Sequence, residues 1–343
     1  MKEAMFYRKV DSKVVCKLCP RSCILGDGET GNCGVRKNVG GKLYSLSYGK
    51  IIAMHADPIE KKPLFHLWPG SLAMSIATPG CNLHCLFCQN WEISQIIELP
   101  SWSIEPERVV EMAIENRCHG IAYTYTEPTV FFEFAYETAK LAKKEGLYNA
   151  WVSNGMINEE PIKKIARYMD AANIDLKAFT DRFYREICGG VGLKPVLEAI
   201  KAFHRHGVWV ELTTLLIPGE NDSREEIEKI VDWVSKLDRN IPLHFSRFHP
   251  MYRMVDRPPT PVEKINEAVE IAKKKLNYVY AGNVWGHEHE STYCPKCGCR
   301  VIKRIGFSVV EVNLNEKRRG YFCPECGEEI PIIGRIIKRK EWE

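Results

Sequence analysis

A chain of 343 residues with 45% apolar and 27% charged content is long enough for a buried core and for more than one domain, and ordinary for a globular protein. No apolar run reaches about 18 residues, and the opening MKEAMFYRKVDSK has no apolar core of a secretory signal, which points to a cytoplasmic, thiol-reducing setting. The net charge of +4 resides in residues 291–343, with 11 Lys/Arg against 7 Asp/Glu, so the body carries no general polyanion signature and only the basic end hints at an acidic partner.

In a reducing compartment, fourteen cysteines need a reason other than disulfides. Eleven fall in three tight clusters, spaced as metal ligands are. Cys118 and Cys188 read as core thiols, and Cys299 as a bystander beside Cys297.

Residues 1–50 are short and turn-rich. Cys16, Cys19, Cys23 and Cys33 are separated by gaps of two, three and nine residues, with glycines at 26, 28, 31 and 34 for the tight turns. Four thiolates there suit zinc or an auxiliary iron–sulfur cluster, and ligand type does not separate the two. Residues 44–55 have strand composition. DPIEKKPLFHLWPGS (57–71) is a rigid, irregular approach to the next strand, in which Lys61, Lys62 and His66 could face a substrate carboxylate or phosphate.

A β–α rhythm starts at residue 72. Strands, several running on into a loop or turn, are expected at 72–78, 120–128, 148–155, 171–177, 207–219, 241–250 and 278–283. Helices are expected over 105–117, 130–146, 159–169, 194–206, 223–236 and 261–275. Such alternation predicts a parallel sheet with right-handed crossovers. Polar motifs follow nearly every strand, which favours a barrel, or an incomplete one, with its site on the carboxyl-end rim. The first of these motifs is CNLHCLFCQN (81–90). Its three cysteines, Cys81, Cys85 and Cys88, suit a [4Fe–4S] cluster with one iron left open, or zinc with a remote fourth ligand. His84 lies inside that loop, where it tunes the site or packs. The tail holds Cys294, Cys297, Cys323 and Cys326 as two Cys-x2-Cys knuckles twenty-five residues apart, a zinc-ribbon pattern. His287 and His289, just before it, read as a solvated linker.

CNLHCLFCQN resembles the cluster motif of radical S-adenosylmethionine (SAM) enzymes, where it also follows the first barrel strand. Through CKLCPRSC, DPIEKKPLFHLWPGS, YTYTEPT, DLKAF, LLIPGENDS, HFSRFHP and the ribbon, the chain resembles the branch related to pyruvate formate-lyase activating enzymes. More closely, it resembles the radical SAM member of the AmmeMemoRadiSam system. That resemblance implies an α/β fold: an incomplete (β/α)6-type TIM barrel at 71–290, with an N-terminal Cys-rich metal-binding segment at 1–70 and a C-terminal zinc ribbon at 291–343.

It further implies a [4Fe–4S] cluster on Cys81, Cys85 and Cys88, with SAM on the fourth iron. Phe87 would pack near the adenine. Glu127, in Tyr125-Thr126-Glu127-Pro128, would supply the acceptor that a Gly-Gly-Glu motif often provides. Ser153, Asn154, Asp175 and Lys177 would be SAM or substrate contacts, and Thr213, Thr214 and His249 would line the same cavity. The implied chemistry is reductive cleavage of SAM to a 5′-deoxyadenosyl radical that abstracts a hydrogen atom. The electron donor would be of ferredoxin or flavodoxin type, and the substrate a partner protein, as for a glycyl-radical activating enzyme. Memo-like and Ammecr-like proteins are the implied associates. The alternatives are modification of a small molecule or lipid, modification of a nucleic acid through basic residues 335–340, or a non-enzymatic metal-binding interaction protein.

Overall fold

The computed structural model describes residues 1–318 and 320–337; Lys338, Arg339 and Lys340 of the basic end lie outside the described residues. Its centre is an eight-stranded sheet in which chain order and spatial order coincide. Ala53–Pro58 is the first strand, antiparallel to Leu72–Ala77. From there the sheet is parallel: Leu72–Ala77, Gly120–Tyr123, Tyr148–Ser153, Ala171–Asp175, Trp209–Leu216, Leu243–Arg247 and Val279–Gly282. Most of these residues are buried, as expected of parallel strands covered on both faces. Neighbouring strand ends lie at one level, with Ile76 opposite Tyr123 and Asp175 opposite Thr213, so the following loops share one rim. Among the described residues the two edge strands do not pair with each other, which leaves an incomplete barrel.

Helices Pro106–Glu115, Phe132–Lys144, Glu159–Ile165, Lys194–Arg205, Arg224–Leu237 and Val262–Lys273 provide the crossovers. Their burial follows the helical period; in Lys194–Arg205 the inward residues are Val196, Ala199, Ile200, Ala202 and Phe203. Ser223 caps Arg224–Leu237 by accepting from the Glu226 N–H at 3.2 Å. The paired Glu226 carboxylate instead accepts from Phe179 N–H at 2.5 Å, tying that helix to the rim loop after Ala171–Asp175.

Two expectations change. Residues 44–55 do not form one strand: Lys42–Ser45 belongs to an N-terminal sheet, and the main sheet begins at Ala53. Gly49 breaks the run, with φ +70° and the Ile104 carbonyl closing on it. The segment before Lys194–Arg205 also holds a π-helical turn, Phe183–Ile187, which the sequence rhythm does not show.

The N-terminal segment forms two small three-stranded sheets, and the C-terminal segment two more. The C-terminal sheets bridge the open side of the barrel. Arg304 is fully buried, donating to the Phe65 carbonyl at 2.7 Å and the Thr292 hydroxyl at 2.8 Å, with Glu60 at 3.4 Å. His66 therefore does not face a substrate. Its Nδ1 pairs with the Pro331 carbonyl at 2.6 Å and its Nε2 with the Tyr280 hydroxyl at 2.8 Å, inside the junction.

Candidate active site

The loops after the parallel strands enclose a cavity of about 560 Å³, within the range of small-molecule sites. Cys81, Cys85 and Cys88 open onto it from the first rim loop. Three elements seat that loop. His84 N–H donates to Cys188 O at 2.9 Å and Leu86 N–H to Ile187 O at 3.0 Å, at the end of the π turn. Arg253 N–H donates to Leu86 O at 2.9 Å, from the loop after Leu243–Arg247. The Asn90 amide donates to Tyr125 O at 2.7 Å. Cys188, expected as a core thiol, is buried against Cys85 but does not line the cavity. His84 is exposed and bonds Gln95 and Asn32.

Phe87, Glu127, Ser153, Asn154, Asp175, Lys177 and Thr213 line this cavity. His249 is exposed and does not line it, and Thr214 is turned to the Leu176 carbonyl, 2.7 Å away. Glu127 is buried with both oxygens engaged. One oxygen accepts from Thr129 N–H (3.0 Å), Thr129 Oγ1 (2.5 Å) and Ser153 Oγ (2.8 Å), the other from Asn154 N–H (2.8 Å). It thus fastens the second rim loop to the third. Burial pushes its carboxyl up, against those hydrogen bonds. Asn154 donates to Asn82 Oδ1 at 2.9 Å and lies 3.6 Å from Cys81 Sγ. Lys177 pairs with Asp175 at 2.6 Å, its ammonium 5.7 Å from the Phe87 ring centre.

Lys61 and Lys62 also reach this cavity. Lys62 is buried, 2.8 Å from Asp57 and 4.1 Å from the Tyr125 ring centre. Burial pushes its ammonium down to about 8, although Asp57 opposes the shift. Sequence reasoning missed His244, Ser246, Asn283 and Phe307 as lining residues. Phe307 comes from a ribbon hairpin, and nothing in its local sequence places it there. Ser246 lies in the quoted HFSRFHP, so a rim position was readable from the strand period.

The donor set fits an iron–sulfur cluster. Among the described residues, only Cys294, Cys297, Cys323 and Cys326 bring three or more ligand atoms within 4.8 Å of one another. Four thiolates about 2.3 Å from one zinc ion lie about 3.8 Å apart, and two ribbon sulfur pairs are 3.5 Å apart. The rim thiols form no such group among the described residues, and they line the open cavity. Residues 75–234 match the radical SAM superfamily. An uncharacterised protein of Methanocaldococcus jannaschii is 47% identical over 338 residues, spanning 97% of this chain and all of that protein. The chain belongs to the radical SAM superfamily. The pyruvate formate-lyase-activating enzyme of Clostridium pasteurianum is 24% identical over 47% of this chain and 68% of its own length. The solved domain of such an enzyme from Bacteroides vulgatus is 18% identical, with a TM-score of 0.43, over 48% of this chain and 99% of that domain.

Proposed function

We propose that this radical SAM protein is an oxidoreductase that uses SAM to abstract a hydrogen atom from a partner protein, in the manner of an activating enzyme. The observation that carries the reading is the opening of three thiols, Cys81, Cys85 and Cys88, onto one roomy cavity at the carboxyl ends of the strands. A [4Fe–4S] cluster and SAM bound there would supply an electron and a 5′-deoxyadenosyl radical. The chain itself orients and shields. Phe87 offers an aromatic wall, Glu127 fixes Ser153 and the Asn154 backbone, and the Asp175–Lys177 pair places opposite charges at the rim. Burial of Phe87, Glu127, Ser153 and Asn154 keeps water from a radical site. The protein substrate is supported by the relative named for activating pyruvate formate-lyase, and Memo-like or Ammecr-like proteins are the candidate partners. A one-electron donor of ferredoxin or flavodoxin type, a cytoplasmic location and zinc in the ribbon belong to the same proposal. So does the division into a metal-binding segment at 1–70, a partial barrel at 71–290 and a ribbon at 291–343.

One observation favours a second reading. Lys61 and Lys62 on the cavity wall suit a small anionic substrate. With the cluster reconstituted anaerobically and dithionite as reductant, the protein is expected to form 5′-deoxyadenosine from SAM, and Cys85→Ala to form none. No product from the parent protein, where a control enzyme works, sinks the proposal. Deuterium transfer from a labelled partner protein, or from a small anion, into 5′-deoxyadenosine decides between the two substrates.

A further inference from the structure

Behind the rim thiols lies a second set. Cys16, Cys19, Cys23 and Cys33 line one small cavity of about 20 Å³, together with Arg36, Asn82 and Thr129. This space abuts the radical SAM site. Asn82 follows Cys81 directly and bonds Asn154. Arg21, from the same knuckle, donates to the Asn82 carbonyl at 2.6 Å. The Cys33 carbonyl packs so closely on Gly80 that an added Cβ would stand 2.7 Å from it.

We propose that these four cysteines hold an iron–sulfur cluster and not a zinc ion, separated from the radical SAM site by little more than the wall Gly80–Asn82. Two independent observations carry this. The first is spacing. The ribbon thiols lie within 4.8 Å of one another, as one tetrahedral ion requires, while among the described residues the N-terminal set is not gathered into such a group. The N-terminal thiols instead surround a void, as the rim thiols surround theirs; that comparison rests on the cluster reading of Cys81, Cys85 and Cys88.

The second is Arg36. Its side chain is 2% exposed and lines the void. Nη2 donates to Glu133 at 2.5 Å, but Nε and Nη1 have no partner. A buried, unmet guanidinium edge is costly unless an acceptor meets it. The four thiol sulfurs are already in place and do not serve. Zinc would add no acceptor, whereas a cluster adds inorganic sulfides beside the guanidinium; once the four thiolates are bound both assemblies are anionic, so it is the added acceptors and not the charge that separate them. Glu133 then has a defined role: by pairing with Nη2 it holds Arg36 in the wall of the site and leaves Nε and Nη1 free for an acceptor there.

The test is a metal and sulfide count on the full chain, prepared anaerobically and freed of loosely held ions. The expected content is about eight iron, about eight sulfide and one zinc per chain, at four iron per cluster. About four iron with two zinc overturns the inference. Because that count needs no variant, it stands even where a substitution harms folding. A Cys81→Ala/Cys85→Ala/Cys88→Ala protein is expected to keep about four iron and, once reduced, an electron paramagnetic resonance signal that SAM does not alter. An iron-free triple variant overturns the inference while leaving the SAM-cleavage reading intact. Conversely, a parent protein that cleaves no SAM but carries both clusters sinks only the functional proposal. In Arg36→Met the second cluster is expected to have a changed reduction potential and the SAM-responsive signal to stay. An unchanged potential overturns the part assigned to Arg36.

Discussion

His66 shows how one buried side chain can set a pH dependence. It is fully buried, and the groups around it are Glu211, His244, Arg304, Tyr278 and Tyr280. Burial, opposed by Glu211, pushes its imidazole from the ordinary 6.5 down to about 4. The hydrogen bonds explain why the neutral ring is wanted. Arg304 donates to Thr292, Thr292 pairs with Tyr280, Tyr280 pairs with His66 Nε2, and Nδ1–H is left to meet the Pro331 carbonyl. A proton on Nε2 would turn the Tyr280 contact donor against donor. Between pH 6.5 and 4 the unfolded chain binds this proton and the folded chain does not. Stability is therefore full above 6.5 and falls as the pH drops toward 4, by at most about 3 kcal/mol. Denaturant unfolding across that range is expected to show a shallower pH slope in His66→Gln than in the parent. Identical slopes would show that His66 titrates in the folded state as it does in the unfolded one. This role was invisible in the sequence. HLWPG shows a histidine among aromatics, but its partners stand at positions 211, 280 and 331, and spacing carries no information about contacts that remote.

At the scale of elements, the cluster loop depends on a glycine with two constraints. Gly80 has φ +102°, and a Cβ would meet Cys33 O at 2.7 Å and Val35 Cγ1 at 3.0 Å. Gly146 is the control, with φ +75° and nothing within 4 Å of its Cβ position. Both alanine variants suffer the backbone strain, about 1–3 kcal/mol. Only Gly80→Ala must also push the N-terminal knuckle off the loop. Its melting point is expected to fall below that of Gly146→Ala, and it should bind less iron after reconstitution. Equal iron in the two variants would mean that the knuckle does not support the loop. Much of this layer was legible. The stretches at 72–78 and 148–155, the first followed by a polar motif and the second ending in one, marked both the parallel strands and the rim. What could not be read was how the loop is held. The π turn Phe183–Ile187 offers its backbone to residues 84 and 86, and backbone hydrogen bonds leave little trace in residue identity.

For the molecule as a whole, the question is what joins the ribbon to the barrel. The cysteine knuckles predicted the ribbon, yet its joint to the barrel includes Arg304, a residue in no motif, beside the His66–Pro331 hydrogen bond. It sits 3.4 Å from Glu60 with both side chains fully buried, while Phe307, three residues on, reaches the central cavity. Removing one member of such a pair strands the other's charge, at a cost of about 3–5 kcal/mol. Arg304→Met should lose stability on that scale in denaturant titrations at neutral pH. Glu60→Gln combined with Arg304→Met should recover part of the loss, since no bare carboxylate remains. Recovery stays incomplete because Phe65 O and Thr292 also lose their donor. The sign with pH follows from burial, which raises the Glu60 carboxyl against the pull of Arg304. A raised folded-state value means that the protonated form is the one tolerated inside. Without Arg304 that preference strengthens, so the penalty in Arg304→Met should shrink on acidification and grow as the pH rises through the Glu60 transition. A penalty that does not vary with pH would show that water reaches Glu60 once the arginine is gone, and that the ribbon then rests on the barrel through its other hydrogen bonds, such as His66 to Pro331, and its apolar contacts.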